Sequence, residues 1–169
     1  MDLVLYILGG AELKTVTCDA YNEIAKDMKS YRYKSMWAEE TSDIENGVND
    51  VDDFITGYVR TDKATISFNG AWAQNLDKNE MFIDILGDKC GARLTYWDKF
   101  ELFDGETLET IRPEYDIPES RECEDRAFLK SVETRVKDRN NIEFVLNSAK
   151  LLDALYESAE KHKEISFED

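Results

Sequence analysis

The distribution of apolar and polar residues predicts a short helix and then a strand at the start of the chain. Leu3 to Leu8 carries no charge and stops at Gly9–Gly10, a pattern typical of about two turns of helix. The following residues alternate and predict a strand from about Leu13 to Tyr21. From Ile24 to Asn49 the pattern is mixed, and we expect a long excursion whose shape the sequence does not determine.

The middle third of the chain predicts a series of short strands. The stretch VDDFITGYVRTDKATISFNGAWA contains two alternating runs joined at Thr61-Asp62-Lys63, as expected of a hairpin. The runs EMFIDILG, ARLTYW, KFELF and ETLETI follow, separated by the turns DKCG, D and DG. Short strands at this spacing, with no helical pattern between them, indicate an antiparallel meander.

The C-terminal part of the chain predicts helices and a closing strand. One apolar stripe contains Phe128, Leu129, Val132 and Val136. A second stripe contains Phe144, Val145, Ala149, Leu152, Leu155, Tyr156 and Ala159. The last residues, KEISFED, are consistent with one more strand.

The faces of the predicted strands indicate how sheet and helices are arranged. Apolar residues occur on both sides of these strands: Ile55 and Val59 share one side, while Phe54 and Tyr58 share the other. Two helices can cover only one face. We therefore expect one α+β domain over residues 1–169, with an open, mainly antiparallel sheet of about six to eight strands. Helices would pack on one face, and the other face would be available for oligomerisation.

Charge and composition exclude several functional classes. The net charge is −16, so we expect no nucleic-acid or membrane partner. Cys18, Cys90 and Cys123 form no CxxC pair, which predicts reduced thiols in a cytoplasmic protein and no zinc knuckle. His162 is the only histidine and lies in the charged run EKHKE, so no histidine triad or histidine-rich metal site is expected.

Three segments, taken in order, resemble the C-terminal domain of the Gfo/Idh/MocA oxidoreductases. SFNGAWAQN…NEMFIDILGDKCGARL is similar to that family's core of strands, with its tryptophan and paired glycines. LLDALYESAEKHKEISF resembles the closing helix, including Tyr156, Ser158 and Ala159. DLVLYILGG resembles the segment G-x-H-x-x-D-x-x-x-x-l-x-G that begins the domain. The resemblance runs through nearly all of the chain and is weakest over residues 24–51 and 113–124.

This resemblance implies hydride transfer between NAD or NADP and a sugar, polyol or related carbonyl compound. It also implies that an N-terminal dinucleotide-binding domain is absent, because the sequence contains no G-x-G-x-x-G. The family's catalytic lysine, and the aspartate and histidine upstream of the first helix, have no counterpart here. We therefore assign no catalytic, cofactor-binding or metal-binding residue, and we expect this chain alone to be inactive.

The resemblance leaves part of a substrate wall in this chain. Asp2 matches the aspartate of H-x-x-D, although an acid also favours a helix N-terminus. Trp72 matches the family's strand tryptophan, for which we favour a core position over a place in the site. Asn75 and Asn79 flank the loop where relatives place substrate contacts, and asparagine is also a common turn former.

The sequence therefore favours a substrate-binding and oligomerisation domain of an oxidoreductase. Its expected partners are a second copy of the chain in a homodimer or tetramer through the sheet face, the missing dinucleotide-binding domain, and a small-molecule substrate. The alternative is a stand-alone binding or scaffolding module with the same fold and no chemistry.

Overall fold

The computed structural model describes residues 1–24, 26, 50–76, 80–96, 99–116, 118–139 and 141–167. Most of the excursion expected from Ile24 to Asn49 lies outside these residues, as does Asn79. The chain divides into two compact units. The first comprises Met1–Asn75 with Asn140–Asp169, and the second comprises Leu76–Arg139.

Helices and strands follow one another in an α+β order. They are α1 (Asp2–Ile7), β1 (Leu13–Tyr21), β2 (Phe54–Thr61), β3 (Thr65–Ala71), β4 (Phe82–Leu86), β5 (Cys90–Thr95), β6 (Lys99–Asp104), β7 (Thr110–Ile111), α2 (Ser120–Thr134), α3 (Ile142–Lys161) and β8 (Ile165–Ser166). None of the described helices is long and apolar enough to cross a membrane.

The first unit is a four-stranded antiparallel sheet with helices on one face. The strand order is β3-β2-β1-β8, and Val16, Val59 and Ile66 lie opposite one another on the three long strands. These side chains pack with Leu151 and Leu155 of α3 in the hydrophobic core. The short helix α1 adds Leu5 to the core, and its Tyr6 ring contacts Phe144 of α3 edge to face.

Gly57 allows the sheet to pack closely at the centre of the core face. It lies opposite Cys18 on β1 and Phe68 on β3. A Cβ atom at this position would lie 2.2 Å from the Thr17 carbonyl oxygen and 3.0 Å from the Phe68 ring. Only glycine fits without moving the backbone, which explains a glycine in the middle of a strand.

The opposite face of the first sheet is mainly polar, except for the row of Tyr21, Phe54 and Ala71 at one end. Thr17, Tyr58 and Ser67 form one cross-strand row, and Asp19, Thr56 and Asn69 form the next. A further row joins Thr15 and Arg60, which both contact Glu164. The core of this unit lies entirely on the other face, so this face is left to polar contacts.

The second unit contains a separate four-stranded antiparallel sheet in the order β4-β5-β6-β7. One face, which we call the apolar face of the second sheet, carries Cys90 and the charged Asp104 at one end and otherwise only uncharged residues. They are Met81, Ile83, Ile85, Ala92, Leu94, Tyr96, Phe100, Leu102 and Ile111. The other face carries a row of alternating charges, which we call the charged row: Asp84, Arg93, Glu101 and the following Arg112.

The charged row is held by side-chain hydrogen bonds. Arg93 donates from Nε and Nη2 to the two carboxylate oxygens of Asp84 at 2.6 and 2.7 Å, and its guanidinium lies 4.8 Å from the centre of the Phe82 ring. Arg112 donates from Nε to Glu101 at 2.8 Å. Glu101 is 6% exposed, and these hydrogen bonds hold the pKa values of both carboxyl groups below their usual range.

Helix α2 confirms the predicted helix but not the expected packing of its apolar stripe. Phe128, Leu129, Val132 and Val136 are all exposed, and no residue of α2 is buried. By contrast, α3 does cover the first sheet, but mainly through residues outside the predicted stripe. Leu155 of that stripe is buried, whereas Val145, Ala149, Leu152 and Tyr156 are exposed. Two helices on one continuous sheet were expected, whereas the structure has one long helix packed on one of two sheets.

The α+β class is confirmed, and so are most of the predicted strands. The strand from Leu13 to Tyr21, the hairpin around Thr61-Asp62-Lys63 and the closing strand in KEISFED are all present. The eight strands form two four-stranded sheets instead of one continuous sheet.

Candidate functional site

Asp2 is the first residue of α1 and is exposed. Its side chain does not cap the helix. The other end of α1 is fixed by the β2–β3 turn, where Lys63 donates from Nζ to the carbonyl oxygens of Leu8 and Gly9 at 3.0 Å each. A cation at a helix C-terminus stabilises its unpaired carbonyls. The turn thus fixes the position of the helix that begins with Asp2.

Trp72 lies at the end of β3 and is held there by two hydrogen bonds. Its backbone N–H donates to the Asp53 carbonyl at 3.2 Å, and its indole Nε1 donates to the Asp52 carbonyl at 2.8 Å. The side chain is nevertheless 47% exposed. Trp72 is therefore not a core residue, which leaves the interpretation as part of a binding surface open.

Asp53 organises the backbone beside Trp72. Its carboxylate is buried, and Oδ2 accepts hydrogen bonds from the backbone N–H groups of Glu23 and Ile24 at 2.7 and 2.6 Å. Its own N–H donates to the Tyr21 carbonyl at 2.7 Å. One side chain therefore joins the end of β1 to the start of β2 and supports the segment that holds Trp72.

Sequence reasoning missed this role of Asp53. It treated Asp52 and Asp53 as adjacent strand residues that point to opposite faces and cannot form one acid pair. The structure places both just before β2 and buries the carboxylate of Asp53 alone. The only signal in the local sequence is an acidic residue directly before a strand. The backbone N–H groups that bind this residue lie about 30 positions earlier in the chain.

Three aromatic residues lie at this end of the first sheet, of which Tyr21 and Trp72 are exposed and Phe54 is half-buried. Tyr21 and Phe54 lie opposite each other with ring centres 6.1 Å apart, and Ala71, which precedes Trp72, pairs with Phe54. We call Tyr21, Phe54 and Trp72 the aromatic edge. Aromatic faces beside carbonyl and carboxylate oxygens suit a ligand that has both C–H surfaces and hydroxyl groups.

The structure brings some of the predicted site residues near one another and leaves others apart. Asn75 is exposed and follows Trp72 by three positions, whereas Asn79 is not among the described residues. The last turn of α1, which begins at Asp2, lies at the β2–β3 turn, and Trp72 follows the opposite end of β3. Since β3 spans roughly 20 Å, the C-terminal end of α1 and Trp72 lie near opposite ends of this strand.

The described residues also show what chemistry this region supports. Among them, no group of three or more His, Cys, Asp or Glu residues is placed to hold a metal ion. His162 is exposed and lies 3.6 Å from Asp19, on the polar surface of the first unit. Gly9 and Gly10 follow α1 instead of opening a helix, so this glycine pair is not placed to bind a pyrophosphate at a helix N-terminus.

Comparison with known proteins was made at the levels of sequence and structure. No protein-family model matches the sequence, and no curated protein matches it. Among solved structures, the chain is similar to the aldose-aldose oxidoreductase from Caulobacter crescentus, whose crystal structure was determined with glycerol. The TM-score is 0.69 at 12% sequence identity.

The two proteins share a fold. The similarity covers 98% of this chain and 44% of the oxidoreductase chain, so the present chain spans less than half of that protein. At this identity the likeness extends to the fold only, and the roles of individual residues have to be argued from their own chemistry.

Proposed function

We propose that this chain is the C-terminal, substrate-side domain of an NAD(P)-dependent oxidoreductase of the Gfo/Idh/MocA type. The enzyme would act on a sugar, polyol or related carbonyl compound. The observation that carries the proposal is the fold shared with an aldose-aldose oxidoreductase over 98% of the chain. The sequence resemblance supports it independently, because the similar motifs fall on α1, on β3 to β5 and on the end of α3.

In this proposal the aromatic edge forms part of the substrate wall. The exposed indole of Trp72 would stack on the C–H face of a sugar or polyol, and Asn75 would donate to or accept from its hydroxyl groups. Glycerol, present in the crystal structure of the similar oxidoreductase, belongs to this chemical class. Asp2 and Asn79 are further candidates for substrate contacts.

The nicotinamide cofactor would be supplied by the dinucleotide-binding domain. That domain would also provide the catalytic lysine and the upstream aspartate and histidine. The residues of this chain would orient the substrate. The proton donor or acceptor for the reacting hydroxyl group would come from outside this chain. The proposed location is the cytoplasm, in keeping with three free cysteines.

The test compares the chain alone with a protein in which the dinucleotide-binding domain encoded upstream precedes it. Formation or consumption of NADH and NADPH would be followed with a panel of aldoses and polyols. We expect turnover only with the longer protein. Turnover by the present chain alone, or none by the longer protein with any member of the panel, would contradict the proposal.

Two substitutions in the longer protein test the aromatic edge. We expect Trp72→Leu to raise KM by about two- to tenfold, since a specific contact with an aromatic ring contributes roughly 0.5–1.5 kcal/mol beyond the area that it buries. The matched control is Tyr58→Leu, an exposed ring on the polar face of the first sheet, which should leave KM unchanged. Circular dichroism spectra of both variants verify that each is folded.

A second candidate is a stand-alone binding module with the same fold. This candidate needs only the fold of the chain itself, which is shared with the similar oxidoreductase over 98% of the chain. An in-frame stop codon directly upstream, together with sugar binding by the chain alone, would support this module over the domain of a larger enzyme.

A further inference from the structure

The three residues of the aromatic edge depend on Asp53 for their positions. Asp53 donates from its backbone N–H to the Tyr21 carbonyl at 2.7 Å, and its own carbonyl accepts the backbone N–H of Trp72 at 3.2 Å. Phe54 is the next residue along the chain and begins β2. The backbone of Asp53 is thus linked directly to each residue of the aromatic edge.

The side chain of Asp53 fixes this backbone. Asp53 is 3% exposed, and its Oδ2 accepts the backbone N–H groups of Glu23 and Ile24 at 2.7 and 2.6 Å. Hydrogen bonds to a carboxylate are roughly twice as strong as those between neutral groups. The two bonds tie the start of β2 to the residues just after β1, so a rotation of the Asp53 backbone would break them.

The ring of Trp72 is held through the residue before Asp53. Its Nε1 donates to the Asp52 carbonyl at 2.8 Å, while the side chain is 47% exposed. A half-exposed ring is held less by packing than a core residue is, so this hydrogen bond helps to select its rotamer. The Asp52 carbonyl lies in the same peptide plane as the Asp53 N–H that donates to Tyr21, so it moves whenever that N–H moves.

We infer that Asp53 is the positioning residue of the aromatic edge: its buried carboxylate sets the orientation in which the Trp72 ring meets a ligand. This inference rests on the proposed function, in which Trp72 stacks on a sugar or polyol. A ring that is already held in its binding orientation loses less conformational entropy when the ligand arrives. Removal of the Asp53 carboxylate should therefore weaken substrate binding through the ring, since the carboxylate itself is buried.

The first experiment follows the Trp72 ring in the chain alone. Trp37→Phe and Trp97→Phe leave Trp72 as the only tryptophan, so the tryptophan bands in the near-ultraviolet circular dichroism spectrum report how firmly this ring is held. We expect Asp53→Ala to lose these bands. Asp53→Asn should keep most of their intensity, because the amide oxygen can still accept the two N–H groups. Unchanged bands in Asp53→Ala would overturn the inference.

Ser158→Ala is the matched control for a general loss of stability. The Ser158 hydroxyl accepts the backbone N–H of Cys18 at 2.9 Å, so this variant also leaves a buried N–H group without its partner. We expect it to keep the Trp72 bands, and equal losses in the two variants would overturn the inference. If far-ultraviolet spectra show Asp53→Ala to be unfolded, Asp53→Ser, whose side chain is too short to replace the carboxylate, takes its place with the same expected result.

The second experiment measures KM for the panel of aldoses and polyols in the protein that includes the upstream dinucleotide-binding domain. We expect Asp53→Ala to raise KM by about two- to tenfold, the range expected for Trp72→Leu, and to leave kcat nearly unchanged. In a Trp72→Leu background the same substitution should change KM by less than about twofold, because the ring that Asp53 positions is gone. Equal effects in both backgrounds would show that Asp53 does not act through the ring and would overturn the inference.

The two experiments separate this inference from the proposed function. The spectra of the chain alone require no catalysis, so they decide whether Asp53 positions the ring even if the longer protein shows no turnover. Loss of the Trp72 bands in Asp53→Ala without any change in KM would confirm the positioning of the ring. The same result would contradict the place of Trp72 in the substrate wall, which belongs to the proposed function.

Discussion

Ser158 accepts, through its buried Oγ, a hydrogen bond of 2.9 Å from the backbone N–H of Cys18. The same hydroxyl donates to the Lys163 carbonyl at 2.7 Å. One side chain at the end of α3 therefore satisfies a group of β1 and a group of the turn that leads to β8. Ser158 is one of the residues that match the family resemblance. Its two hydrogen bonds explain why a serine is required at this position.

We expect Ser158→Ala to lower the free energy of unfolding by about 1–3 kcal/mol, since it leaves a buried N–H group and a carbonyl without a partner. Urea denaturation followed by circular dichroism measures this change. The matched control is Ser148→Ala on the same helix. The Ser148 hydroxyl is buried without a hydrogen bond among the described residues, so its removal should be neutral or stabilising. Equal losses in both variants would contradict the bridging role.

Asp53→Ala should destabilise the first unit while Asp52→Ala should not. The carboxylate of Asp53 accepts two backbone N–H groups, whereas the recorded hydrogen bond of Asp52 uses its backbone carbonyl, which alanine retains. We expect a loss of about 1–3 kcal/mol for the first substitution and a change within about 0.5 kcal/mol for the second. Thermal and urea unfolding measure both, and the reverse order would be evidence against the assigned role of Asp53.

The three cysteines should differ in their reactivity. Cys18 is buried, and burial, with the nearby negative charges of Asp19 and Asp52, raises the pKa of its thiol. Cys90 and Cys123 are exposed. Because the thiolate is the reactive form, iodoacetamide should modify Cys90 and Cys123 quickly in the native protein and Cys18 only after denaturation. Peptide mass spectrometry measures the order, and rapid native labelling of Cys18 would contradict its burial.

The pair Glu101–Arg112 should make stability depend on pH in acid. The hydrogen bond from Arg112 is the main cause of the lowered pKa of Glu101, whose ordinary value is 4.5. A pKa that is lower in the folded state than in the unfolded state stabilises the folded protein at pH values above the unfolded pKa. This stabilisation is lost as the pH falls through the folded pKa. Arg112→Gln should therefore lower Tm at neutral pH, and the difference from the unchanged protein should shrink below about pH 4.5.

The control for this pH dependence is Arg126→Gln. Arg126 pairs with exposed Glu122 four positions earlier on α2, where solvent weakens the interaction. Its Tm difference should be small at every pH. A difference for Arg112→Gln that is constant from neutral to acidic pH would show that the arginine acts through packing and not through the charge of Glu101.

Local pattern was sufficient to predict much of the fold. The strand Leu13–Tyr21 and the hairpin from Phe54 to Ala71 each depend on alternation and turn residues within one short stretch. The division into two sheets could not be obtained in this way. Alternation indicates which side chains share a face, but it does not determine whether β3 pairs with β4.

The candidate site was harder to predict from the sequence than the fold was. Trp72 was found through a resemblance, and its half-exposed ring is a property of the folded backbone. The buried carboxylate of Asp53 depends on N–H groups brought together only after β1 and β2 have paired. The open stripe of α2 has a similar origin, because amphipathic spacing predicts a helix and does not specify the surface that it contacts.

Strand β8 protects the first sheet with only two residues. Ile165 and Ser166 lie along β1, and Glu164 just before them bonds to Thr15 and Arg60. Without this short cover, the N–H and C=O groups of β1 on that side would be open to strands of other molecules, a common route to aggregation. Truncation by half a dozen residues at the C-terminus would therefore open this edge to aggregation and would also remove Ile165 and Phe167 from the rim of the core.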